Sequence, residues 1–184
     1  MKRNRIFACA ALCLFAFCAS STTLFVGRLR ILPEWSYSKT VGASTATQRI
    51  GALLDWSHTT GTNTQEMTTL ISGEYSLTNS ASVTVDLTSA FNGFGDSVSF
   101  STVKFIAVSA GVSNLNSIAL GGAASGALAN WTGTTNDTVI IQPGGAFCIV
   151  APGPLGYAVG SSGNLKITNT GTNAVSCFLY VAGF

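Results

Sequence analysis

The chain has a single histidine, His58, in the stretch Asp55-Trp56-Ser57-His58. An imidazole close to a carboxylate and a hydroxyl could serve nucleophilic hydrolysis. That chemistry requires base, orienting acid and nucleophile to converge in space. One histidine in a polar, Ser-rich segment does not single out such a site, so no catalytic role is assigned to it. Zinc would need several Cys or His at short spacing. Cys9, Cys13 and Cys18 fall in an apolar stretch, while Cys148 and Cys177 stand alone in strand-like runs. In such runs a thiol behaves as a small hydrophobe. Two buried thiols are therefore expected in preference to a disulfide, which needs Cα atoms within about 7 Å in an oxidising compartment. Asp96 and Asp137 could serve as paired glycosidase carboxylates, but nothing in their placement favours them over other acidic pairs. Gly121-Gly122 and Gly144-Gly145 are followed neither by Lys-Ser/Thr nor by a helical pattern, so they read as turns rather than phosphate loops. Asn130-Trp131-Thr132 and Asn136-Asp137-Thr138 match the glycosylation pattern, which matters only in a eukaryotic secretory route. No catalytic, cofactor-binding or metal-binding residues are expected, and the chain is read as non-enzymatic.

The elements that would position any site are short strands. Asp137–Ile141, Ala146–Val150, Gly156–Val159, Asn164–Asn169 and Ala174–Ala182 are apolar or β-branched runs separated by Gln142-Pro143-Gly144-Gly145, Ala151-Pro152-Gly153-Pro154 and Ser/Gly clusters. Upstream, Leu70-Ile71 and Tyr75–Leu77 flank Gly73, and Ser82–Leu87 alternates with Val83, Val85 and Leu87 on one face. Val103–Val108 is apolar almost throughout, as a central strand with little free face would be. Ser117–Leu120 follows a turn, and the small residues 121–127 suit close backbone approach. Strands recurring every 8 to 12 residues predict an all-β antiparallel sandwich, jelly-roll-like, over 69–184. Val139, Ile141, Phe147, Ile149, Val175, Leu179 and Val181 are candidate core positions. The final run carries no charge, so it must be central or covered by another subunit.

Two segments precede the sandwich. Residues 1–27 open with Lys2, Arg3 and Arg5 and continue without charge from Ile6 to Gly27. This is a signal peptide in form, with cleavage after Ser20 or Ser21. The alternatives are an uncleaved membrane anchor or a start codon set too far upstream. Cys18 does not read as a lipidation site, because bulky Phe17 precedes it. Residues 28–68 show no sustained period and read as an extended arm or linker with one short strand near Ile50–Trp56. Its aromatics Trp35, Tyr37 and Trp56, with the exposed-looking Trp131 and Tyr157 of the sandwich, are the candidate interaction residues.

Composition narrows the function classes. Charged residues are 9% of the 184, against about 25% in an average soluble domain. Ser, Thr, Asn and Gly solvate the surface instead, which suits a protein packed beside many copies of itself or a neighbour and equally a secreted β-protein with a Ser/Thr-rich surface. Lys2, Arg3, Arg5, Arg28, Arg30, Lys39 and Arg49 face only Glu34 in residues 1–49, whereas the remainder is mildly acidic. No basic stripe crosses the sandwich, so nucleic-acid binding by it is not expected.

The series Val98–Lys104, Leu120–Ser125, Gln142–Gly145, Ala151-Pro152, Gly156–Val159 and Leu165–Gly171 resembles a family of small, mostly uncharacterised β-rich proteins encoded by tailed bacteriophages and prophages. The resemblance spans roughly residues 72–184. It implies a virion structural or accessory protein, such as a capsid decoration, minor capsid or head or tail appendage protein. It implies no cofactor. A capsid role makes the major capsid protein or another virion protein a partner; the uncharged final run adds copies of this chain, in a trimer or docked on a lattice, and the apolar residues 6–27 add membrane contact. The expected location is the virion. The chain departs from the family at its N-terminal segment. The alternative is a secreted or membrane-anchored sandwich that binds carbohydrate or a cell surface.

Overall fold

The computed structural model describes residues 27–31, 34–41, 44–51, 54–128, 130–160 and 163–184. These form sixteen strands, with no helix among the described residues. The expected signal peptide or anchor, residues 1–27, lies outside them save for Gly27. The first four strands are β1 (Gly27–Ile31), β2 (Glu34–Val41), β3 (Ser44–Gly51) and β4 (Leu54–Thr60), followed by the short β5 (Glu66–Met67). The sandwich proper begins with β6 (Thr69–Leu77) and β7 (Ser82–Asp86). A small hairpin follows, β8 (Ala90–Phe91) with β9 (Ser97–Val98). Next come β10 (Thr102–Ala110), β11 (Ile118–Gly121), β12 (Thr138–Ile141), β13 (Ala146–Val150), β14 (Tyr157–Ala158), β15 (Asn164–Asn169) and β16 (Val175–Gly183).

Eight of these strands make two four-stranded antiparallel sheets, β13-β10-β16-β6 and β12-β11-β15-β7; β14 adds to β10. The pairing is nested. β6 pairs with β16, β7 with β15, β10 with β13, and β11 with β12. The first strand thus meets the last and the innermost two form a hairpin, which is one long hairpin rolled into a jelly roll. Contacts β10–β16 and β11–β15 complete each sheet.

Local chemistry explains the turns. In Gln142–Gly145, Pro143 precedes Gly144 at φ +70°, and the Gly145 amide donates to the Gln142 carbonyl at 2.8 Å, the requirements of a type II turn between β12 and β13. Gly121, at φ +107°, has the Asp137 carbonyl so close that a Cβ there would stand 2.5 Å from its oxygen. This is the close approach that the small residues predict.

The core lies between the sheets. Strict alternation buries Leu165 and Ile167 from β15 and Val175, Cys177, Leu179 and Val181 from β16. These meet Ile71, Val103, Ile106, Val108, Ile118, Leu120 and Ile141. As its composition requires, β16 is central, flanked by β10 and β6. Its end is tied down, with the Ser101 and Thr102 amides donating to the Phe184 carbonyl at 2.8 and 2.9 Å. Gly73 does not divide the first run, since β6 passes through it unbroken. Cys148 lies on the outer face of its sheet and Cys177 in the core, and β10 separates their strands, so no disulfide joins them. Burial pushes the Cys177 thiol up to about 11.

Val139, Phe147 and Ile149 pack against the core but are only partly buried. Truncating a fully buried Phe costs about 3–5 kcal/mol. Phe147→Ala should therefore cost less, about 1–2 kcal/mol. In thermal unfolding this is a fall of roughly 3–6 °C in Tm. An unchanged Tm would place the ring outside the packed interior.

The stretch 28–68, expected as an arm with one short strand, is strand over most of its length. The β1–β4 and β2–β3 ladders keep one register: Ile31 faces Leu54 and, three residues further along each strand, Glu34 faces Gly51. These two ladders of one register are called the ribbon below. Nor does the packed unit begin at residue 69: His58 and Met67 are 5% and 1% exposed.

Candidate interaction surface

Alternation along the ribbon sorts its residues onto two faces. Leu29, Ile31, Trp35, Tyr37, Lys39 and Val41 share one face with their partners Trp56, Leu54, Ile50, Gln48, Ala46 and Ser44. Arg28, Arg30, Glu34, Ser36, Ser38 and Thr40, with Ser57, Asp55, Gly51, Arg49, Thr47 and Thr45, share the other. The three candidate aromatics Trp35, Tyr37 and Trp56 thus fall on a single, largely apolar face. Trp131 and Tyr157 do not join them. Contrary to the expectation of exposed rings, both are partly buried against the sandwich core. Trp131 lies tilted on Phe147 with ring centroids 5.6 Å apart, and its indole Nε1 is buried without a hydrogen-bond partner.

The ribbon is rooted on the outer face of the β13-β10-β16-β6 sheet. Met67 packs on Phe105 and Ala182. Main-chain bonds fix the segment: the Gln65 amide donates to the Pro152 carbonyl at 2.7 Å and the Thr68 amide to the Gly183 carbonyl at 2.8 Å. Lys104, fully buried, donates from Nζ to the Asn63 carbonyl, and its ammonium lies 5.0 Å from the centre of the Phe184 ring. Burial draws the Lys104 pKa below the ordinary lysine value, and the Glu66 carboxylate partly opposes this.

His58 belongs to this root and to no catalytic arrangement in the described residues. Asp55 lies on the opposite face of β4 from His58, so their closeness in sequence does not make a dyad. Neither ring nitrogen has a hydrogen-bond partner; the Gln65 main chain is close enough to favour the charged ring without meeting hydrogen-bond geometry. Burial holds the pKa of His58 below 6.5, and the Lys104 ammonium acts in the same direction. The unfolded chain therefore takes up the proton more readily than the folded one. The stabilisation from a neutral His58 is complete above pH 6.5 and is lost as the pH falls below it. Lowering the pH from about 7.5 to 5.5 should lower Tm and lower the protection of the amides of residues 57–68 relative to their intrinsic exchange rates, and His58→Leu should reduce that pH dependence. Equal pH dependence in both proteins would show that His58 is not the titrating group.

Beyond the root, the outer sheet face is unusually apolar for an antiparallel sandwich, where one face commonly meets water. Register sets out three cross-strand rows: Val150-Phe105-Ala182-Leu70, then Cys148-Ala107-Tyr180-Ser72, then Ala146-Ser109-Phe178-Glu74. Met67 covers the first row, while Phe178 in the third is 39% exposed. Sequence reasoning treated β16 as a core strand and missed Phe178 as a surface residue. The signal lay in the aromatic residues at 178 and 180, which alternate with Leu179 and Val181.

A cleft of about 260 Å³ opens between the sheet edges at β6 and β7, lined by Ile71, Tyr75, Val83, Val85, Leu179 and Phe91 among others. Burial raises the Tyr75 phenol above its ordinary value. Asp86 beside it accepts from the Thr88 hydroxyl at 2.6 Å, which holds its carboxyl below the usual range. Asp96 and Asp137 each serve their own loop, accepting from Asn92 Nδ2 at 3.1 Å and the Thr134 amide at 2.8 Å. No group of three or more His, Cys, Asp or Glu suited to a metal occurs among the described residues, nor does any helix long and apolar enough to cross a membrane. The chain matches no protein-family model, no curated protein and no solved structure.

Proposed function

We propose that this chain is a non-enzymatic virion structural protein, a capsid decoration, minor capsid or head or tail appendage subunit. It acts by assembling with copies of itself and docking on the major capsid protein or another virion protein. The observation that carries this reading is the nested eight-strand jelly roll with a two-stranded ribbon rooted on its outer sheet face. Jelly rolls serve viral capsids but also lectins and cupins, so the fold alone does not carry function. Support comes in addition from the weakly charged surface and from the resemblance of residues 72–184 to phage-encoded β proteins. A trimer is the assembly proposed, with docking on a lattice as the alternative, the sandwich making no nucleic-acid contact and residues 6–27 meeting a membrane where one is present.

Mass spectrometry of gradient-purified particles from the virus or induced prophage carrying the gene tests this. The chain should be present in fixed ratio to the major capsid protein. Its absence from particles, with recovery from the culture medium or the cell membrane, would overturn the reading.

The second reading, a secreted or membrane-anchored sandwich that binds carbohydrate or a cell surface, draws on the 260 Å³ cleft. Its apolar floor and polar rim at Thr84, Asp86 and Ser89 suit one small ligand group. Trp131 and Tyr157, which first suggested this reading, do not line the cleft.

A further inference from the structure

We infer that residues 57–68 form a strap that acid releases from the outer face of the β13-β10-β16-β6 sheet while the sandwich stays folded, with His58 as its trigger. The inference goes beyond the proposed function and does not depend on it.

The strap is fastened separately from the core. Its buried residue Met67 packs with Phe105 and Ala182 in a cluster of its own, whereas the main core lies between the two sheets. Further fastenings are the Gln65 amide on the Pro152 carbonyl, the Thr68 amide on the Gly183 carbonyl and Lys104 Nζ on the Asn63 carbonyl. Freeing them leaves the strand pairs of the sandwich in place. A segment with few buried apolar contacts opens at a lower free energy than the whole fold.

Two basic side chains meet at its underside. His58 is 5% exposed, and neither ring nitrogen has a hydrogen-bond partner. Lys104 is fully buried and close enough to act on the ring. It also interrupts the alternation of β10: Val103 faces Gly183 and Phe105 faces Ala182, so Lys104 is the extra residue of a bulge. A bulge re-aims a side chain. Here it brings an ammonium to the strap, at the Asn63 carbonyl. A neutral His58 tolerates that neighbour. A protonated one sets a second cation beside the first, where burial weakens screening.

The surroundings do little to offset a charged ring. Register places Gly27 opposite His58 and Leu29 two positions along β1, with Trp56 and Thr60 on its own face of β4, and none of these is ionisable. The 151–156 turn carries no charge. β13 and β16 bring Cys148 and Tyr180 to the sheet face, a thiol and a phenol rather than carboxylates. Glu74 of β6 lies in the row of Phe178, two rows from the one that Met67 covers. Glu66 of β5 accepts from the Asn63 amide at 2.8 Å and acts on Lys104. The Gln65 carbonyl, which favours the charged ring, already accepts from the Thr59 amide at 3.0 Å. Opening moves His58 into water, so the open strap binds the proton that the closed one resists. Below pH 6.5 the opening equilibrium rises by up to about tenfold for each pH unit.

Amide exchange of the full chain from about pH 7.5 to 4.5, corrected for intrinsic rates, tests this. Protection of residues 57–68 should fall by up to about tenfold per unit and end far below that of β16, with the circular dichroism spectrum unchanged. Low urea should hardly alter it, because local opening exposes little surface. His58→Leu should flatten the profile of 57–68. As the chain's single histidine, His58 gives its own ring-proton titration, whose midpoint should lie below 6.5 and move up in Lys104→Met. Equal loss of protection in 57–68 and β16, the same profile in His58→Leu, or a titration at or above 6.5 would each overturn the inference. So would a midpoint that Lys104→Met leaves in place.

Discussion

Phe100→Ala should destabilise the protein by about 3–5 kcal/mol, the usual range for emptying a fully buried Phe site. Phe100 lies between β9 and β10, is 2% exposed, and belongs to the main core with Leu87 and Val103. Its amide donates to the Leu87 carbonyl at 2.8 Å, so the backbone on both sides is held in place. Such a site closes poorly around a cavity, which puts the cost toward the upper part of the range. Thermal unfolding by circular dichroism should show Tm lowered by roughly 6–20 °C. Phe100→Leu keeps most of the volume and should cost under about 2 kcal/mol. An Ala variant no worse than the Leu variant would show that this end of the sandwich is not tightly packed.

Asn169→Ala should also destabilise the protein, for a polar reason. Asn169 is 1% exposed at the end of β15. Its Nδ2 donates to the Thr78 carbonyl at 2.8 Å and the Asn173 carbonyl at 2.7 Å, and its Oδ1 accepts from the Gly171 amide at 3.0 Å. One side chain thus ties together the β6–β7 and β15–β16 connections. Removing it takes the acceptor from the Gly171 amide, while the Thr78 and Asn173 carbonyls keep the Ala81 amide at 3.1 Å and Asn116 Nδ2 at 2.8 Å. A cost of about 1–3 kcal/mol is expected in denaturant unfolding, with faster exchange of the Gly171 amide. Asn169→Asp gives a sharper check. It keeps an acceptor for Gly171 but sets a carboxylate against two carbonyl oxygens, which raises its pKa in the folded state. The neutral acid restores a donor, so the variant should regain stability relative to wild type as the pH falls from 7 toward 4. A deficit that does not change with pH would show that Asn169 acts through its shape alone.

The sequence by itself determined the strands of the sandwich, because their signals are local. Alternation at Val83, Val85 and Leu87 gives a two-sided strand wherever it packs, and Gln142-Pro143-Gly144-Gly145 makes its turn without reference to the remainder of the chain. The absence of charge from Ala174 to Ala182 required a central strand, because an edge strand of that composition would have no protection. Tertiary structure alone decided the rest. Which strands pair is set by nesting over long separations, and that nesting puts Cys148 and Cys177 on opposite faces of one sheet. Whether Trp131 faces solvent or Phe147 depends on where a long connection lands. Asn169 looks like any strand-end Asn until Thr78 and Asn173 are brought to it. The ribbon escaped notice because Lys39 and Gln48 interrupt its apolar face and Ser and Thr fill the other, so its alternation emerges only when β2 and β3 are set in register. His58 and Met67 read as linker residues because burial belongs to the surface they meet: Phe105, Ala182 and Lys104 come from strands more than thirty-five positions away, and only the folded sheet brings them beneath the root.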